Sequence, residues 1–158
     1  MKTLTFLLAT ALTCAPLLAG PTRGPLPKEQ RDTIHQLAAH HTTISREVTL
    51  TEKGYTATTT STDPKVAKLL QSHIKYMLKR VEGGGRVRQW DPAYREMGRY
   101  FAQLTTEVEP LENGIRVTIT GESPEAVKVA QNHAHIVTKF IEHGAKEVQS
   151  KHEPVLEQ

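Results

Sequence analysis

Histidine is the side chain with the most chemical potential in this 158-residue chain. It occurs eight times, as His35, His40, His41, His73, His133, His135, His143 and His152. Two of these stand out by position. Val66, Leu70, His73, Met77 and Val81 recur every three or four residues, and so do Ala126, Ala130, His133, Val137 and Ile141. That spacing lines up one face of a helix, so His73 and His133 are expected on faces turned toward a core. Met77 lies one helical turn beyond His73. A third stripe, Ile34, Leu37, His41 and Ile44, aims His41 at the same interior.

These residue types suit metal chemistry. Neutral imidazole is the commonest metal ligand, and a thioether favours soft Cu(I). Cys14 is the only cysteine. If it leaves with a leader, disulfides, thiolate metal sites, iron–sulfur clusters and covalently attached haem are excluded. The expected ligand set is His73, His133, Met77 and His41 around a copper ion. A haem iron held by His73 and His133 from two sides is the variant. The competing reading keeps the histidines as core residues whose ring nitrogens bond internally. The protein is then a non-catalytic module that docks another envelope protein. His40 lies beside the stripe. His35, His135, His143 and His152 are expected to face water.

Nothing supports an enzyme. Ser45, Ser61, Ser72 and Ser123 have no nucleophile elbow around them, and Gly83-Gly84-Gly85 lacks the Lys-Ser/Thr of a phosphate loop. No close pair of carboxylates shares a face. The net charge of +3 is too mild to make nucleic acid the main partner. Lys79, Arg80, Arg86, Arg88, Arg95 and Arg99 surround a central linker and read mainly as a solvated face, with an anion or partner patch as the alternative. Trp90, the only tryptophan, is expected to pack as a plug there, or else to stay exposed for a partner.

The elements that must position these residues come in two sets. Shifted by 60 residues, Arg46–Gly84 matches Thr106–Gly144 without a gap, and thirteen positions are identical. The matched pairs include Gly54/Gly114, Pro64/Pro124, Gln71/Gln131 and His73/His133. Self-similarity of this kind sets the architecture. Each half reads as α-β-β-α: a helix from Pro27 to Ile44, strands Glu47–Thr51 and Tyr55–Thr60, then a helix opened by Asp63-Pro64. The second half repeats this with Asp91-Pro92, Glu107–Leu111, Asn113-Gly114, Ile115–Thr120 and Ser123-Pro124. The expected fold is α+β, with four helices on one four-stranded antiparallel sheet and a pseudo-twofold axis.

The expected boundaries are 1–19 for an export leader, 27–84 for the first repeat, 85–91 for the linker, 92–148 for the second repeat and 149–158 for a flexible tail. Lys2 followed by an apolar stretch from Leu4 to Leu18 carries the leader reading, and with it a periplasmic or secreted location. That stretch is too short for a comfortable membrane span, and no other segment qualifies.

Overall fold

A computed structural model describes residues 24–156. The expected leader and Cys14 lie outside the described residues. Helix α1 (Lys28–Ala39) leads through a 3-10 turn (His41–Thr43) into strand β1 (Ile44–Thr51) and strand β2 (Gly54–Ser61). Helix α2 (Pro64–Glu82) follows. The second half runs α3 (Pro92–Tyr100), a 3-10 turn (Phe101–Gln103), β3 (Leu104–Leu111), β4 (Gly114–Gly121) and α4 (Pro124–His143), ending in a short α5 (Ala145–Val148). The expected helix from Pro27 to Ile44 therefore stops early. His41 sits in a 3-10 turn and not in an α-helix, because the alternation that builds β1 already begins at Ile44.

The strands form one antiparallel sheet in the order β1-β2-β4-β3, with helices packed on it. The two hairpins join through their second strands. Tyr55 pairs with Ile119, Thr59 with Ile115, and Ala57 with Val117 between them. Adding 60 to Tyr55 and subtracting 60 from Ile119 returns the pair Ile115–Thr59, so the register maps onto itself. Two-residue turns, Glu52-Lys53 and Glu112-Asn113, close the hairpins, and Gly54 and Gly114 are the first residues of β2 and β4.

Among the described residues, one sheet face is covered. Tyr55, Ala57, Ile115, Val117 and Ile119 point at the helices and pack with Ala130 and Ala134 of α4. Ile44, Val66 and Leu70 form a second cluster with Leu37 and Ile141. Burying aliphatic side chains at about 25 cal/mol per Å² is the main force holding such layers together. The opposite face carries Thr49, Thr56, Thr58, Thr118, Glu47, Glu107, Glu109 and Arg116, all at least partly exposed.

Local caps set the helix starts. Asp63 accepts from the Lys65 amide at 2.8 Å, Asp91 from Ala93 at 3.2 Å and Ser123 from Ala126 at 3.2 Å, each with proline at the first helical position. These caps fix where α2 and α4 begin, and so which residues of each helix face the sheet. Among the described residues no helix is long and apolar enough to cross a membrane.

The linker and tail differ from expectation. Arg80 is buried, donating to the Arg86 carbonyl at 2.9 Å and to that of Gly24. It is a tether inside the fold and not part of a solvated face. Trp90 does not plug the two halves; it stays 46% exposed, with the Arg88 guanidinium 4.2 Å above its ring. The tail is bound as far as Leu156. His152, expected in water, is 4% exposed.

Candidate functional site

The sequence placed His73 and His133 on inward faces, and both are partly buried on α2 and α4. Burial drives His73 from the usual 6.5 down to about 4. His133 falls to about 4 as well, first through burial and then through the Arg46 guanidinium and His152. Both rings are therefore neutral across the physiological range, the protonation state that metal ligation requires.

Their surroundings differ. The His73 Nδ1 is buried without a hydrogen-bond partner, and so is the Tyr76 hydroxyl three residues on. Residues three and four apart share a helix face, so His73, Tyr76 and Met77 lie together on α2. Leaving a buried polar atom unpaired costs roughly 1–3 kcal/mol, so two such atoms on one face ask for something that would satisfy them. His133 instead meets the Tyr94 ring edge-on, with centroids 5.6 Å apart. Neither histidine acts on the ionisation of the other.

His41 is engaged elsewhere. Its Nδ1 donates to the Ile141 carbonyl at 2.8 Å, and its ring lies so close to Gly144 that an added Cβ would come within 2.4 Å of Cδ2. No interaction joins His41, His73, His133 and Met77 into one cluster. Among the described residues, no group of three or more His, Cys, Asp or Glu side chains is placed to hold a metal ion. His35, His40, His135 and His143 are exposed. Two open concavities lie away from both imidazoles. One, of about 670 Å³, runs between the β1–β2 turn and the start of α4; the other, of about 420 Å³, is lined by Gly24, Gly84, Gly85 and Arg86.

Sequence reasoning missed two polar groupings. The first is under the β1 edge. Arg46 donates from Nη1 to Thr59 Oγ1 at 2.8 Å, while its Nε is buried and unpaired. Tyr55 and Tyr94 lie near it, and burial raises both hydroxyls above the ordinary tyrosine value. Nothing in an alternating strand pattern separates an inward arginine from an outward one until the register is known.

The second grouping binds the tail. The His152 Nδ1 lies 2.6 Å from Asp91 Oδ2, and its Nε2 lies 2.9 Å from Glu147 Oε1. Both nitrogens donate only in the imidazolium form. Arg88 donates to the Val148 and Ser150 carbonyls and to Asp91. Glu96, 1% exposed, accepts from the amides of Val155 and Leu156 at 2.8 and 2.9 Å. One signal for this was present: Ala93, Glu96 and Met97 share helical spacing, so a carboxylate stands on an inward stripe.

Comparison with protein-family models, with curated proteins and with solved structures found no match to this chain.

Proposed function

We propose that this is a small, exported, non-catalytic metal-binding protein that takes up a soft cation, Cu(I), on α2 through His73 and Met77. The observation that carries the reading is the buried, unpartnered Nδ1 of His73 on a ring that burial keeps neutral. A neutral imidazole and the thioether one helical turn further on are a donor pair that suits Cu(I), which accepts low coordination numbers. His41 is not counted in this pair: its Nδ1 bonds to the Ile141 carbonyl, which leaves only Nε2 to bind, and its ring lies against Gly144. His133 would act separately, since its ring packs against Tyr94. Carriage or sensing is the role such a donor pair would serve, and the apolar stretch from Leu4 to Leu18 after Lys2 supports an envelope location. Haem held between His73 and His133 is the variant cargo of the same reading.

The test is titration of the leaderless protein with Cu(I), Cu(II), Zn(II) and haemin. One equivalent of Cu(I), weakened at least tenfold in both His73→Gln and Met77→Leu, is the expected result. Lack of uptake of Cu(I) by a folded protein overturns it.

One observation favours a second reading, a docking module for another envelope protein. The helices cover a single sheet face and leave the threonine rows with Glu47, Glu107 and Glu109 open. On that reading, Thr58→Arg on the open face abolishes function in the cell without changing metal uptake.

A further inference from the structure

The metal reading leaves the arginine beneath the β1 edge unexplained. Arg46 sits on the helix-covered face of an edge strand, between Ile44 and Val48, which both pack in the core. The residue is only partly buried, and β1 is an edge strand of the sheet. Among the described residues it has no carboxylate partner. Thr59 takes one hydrogen from Nη1, Tyr55 is near enough to influence its charge, and Nε stays buried without a partner. A buried cation without a counter-charge is strongly unfavourable, and proteins ordinarily pair it or bind an anion there.

The neighbours fit an anion. Tyr55 and Tyr94 are held as neutral phenols, so each keeps a hydroxyl to donate. His133 is neutral and keeps one N–H. Besides these two phenols, no acidic side chain among the described residues acts on Arg46. A guanidinium matches the planar fork of a carboxylate or two oxygens of a phosphate. The feature belongs to one half only, since Thr106 stands at the corresponding position of β3.

We propose that Arg46, Tyr55, Tyr94 and His133 form a binding site for a small oxyanion entering at the β1 edge. The bound anion would accept from Arg46 Nε and from the two phenols. It would also relieve the repulsion that Arg46 exerts on a protonated His133. The inference is independent of copper binding on α2, so the test uses metal-free, EDTA-treated protein.

NMR of the arginine Nε–H group, during titration with phosphate, sulfate and acetate against chloride at equal ionic strength, reads the site directly. The expected result is a saturable shift of the Arg46 signal with at least one oxyanion and none with chloride. Phosphate or sulfate alone would mark a tetrahedral ligand, and acetate would mark a carboxylate. Arg46→Met should weaken binding roughly tenfold or more, and Tyr94→Phe about fivefold, as the loss of charged and neutral hydrogen bonds implies. Tyr94→Phe keeps the ring that packs on His133, so it carries the test should Arg46→Met fail to fold. Shifts no larger than chloride produces, or unchanged affinity in Tyr94→Phe, overturn the proposal.

Discussion

At the residue scale, His73 and His133 make stability sensitive to acid. Each has a folded value near 4 against 6.5 in the unfolded chain. Above 6.5 both states are neutral and the rings add no pH dependence. Between 6.5 and about 4 the unfolded chain takes up protons that the folded chain refuses, so stability falls as the pH drops. The loss should be on the order of 1–3 kcal/mol per histidine, because both rings keep some contact with solvent. Urea denaturation at pH 7.0 and 4.5 checks this, and His73→Gln should remove about half the difference. The same low value bears on cargo. Protons compete for the His73 lone pair only near pH 4, so Cu(I) affinity should stay flat from pH 7 to 5, and a tenfold loss already at pH 6 would contradict this account.

At the element scale, the sheet is held together where β2 and β4 meet, and the internal match in sequence has a geometric counterpart there. A Cβ on Gly54 would fall 1.9 Å from the Ile119 carbonyl oxygen, and one on Gly114 would fall 2.0 Å from that of Thr59. Gly54 also has φ +151. Backbone lies against backbone at both points, so neither site can yield cheaply. Gly54→Ala and Gly114→Ala should each cost about 3 kcal/mol or more by chemical denaturation, well above a usual surface substitution. Gln71 and Gln131 tie each long helix to the opposite hairpin. Gln71 donates to Leu111 and Gly114, and Gln131 donates to Thr51 and Gly54. Alanine at either should cost about 1–2 kcal/mol.

These elements were legible in the sequence for physical reasons. Alternating Ile115, Val117 and Ile119, and the Asp63-Pro64 and Ser123-Pro124 caps, are local signals that tertiary packing did not override. The candidate site was legible only in part. Helical spacing shows that His73 and His133 turn inward, but whether two inward rings meet depends on how separate elements cross. Sequence spacing holds no record of that. His41, expected on an α-helix, opens a three-residue 3-10 turn, and its contacts with Ile141 and Gly144 follow from how α4 crosses that turn.

At the scale of the whole molecule, the last residues close the fold, and this was the least legible feature of all. Asp91 and His152 lie 61 residues apart and bond through single polar contacts, which leave no periodic trace. Arg88, Asp91, Glu96 and Asn132 hold Val148, Ser150, His152, Glu153, Val155 and Leu156, while the His152 ring packs on Phe140. The linker and the end of α4 are thereby fastened to α3 by one charged network. Such networks are strongly asymmetric in energy. Removing one partner strands buried charges, at about 3–5 kcal/mol, whereas the intact cluster adds much less than that to stability. Deletion of residues 149–158 leaves Asp91 and Glu96 facing no donors from the tail, so it should destabilise the protein by several kcal/mol although it removes few apolar contacts. His152→Ala should account for a large part of that loss, because Glu147 loses the imidazole and Asp91 keeps only Arg88 and backbone amides. Hydrogen exchange separates this from general loosening: the Ala93, Val155 and Leu156 amides should lose protection in His152→Ala, while Ala57 and Val117 at the sheet centre keep theirs. Equal loss at the sheet centre would mean that the tail is no separate clasp but part of one cooperative core.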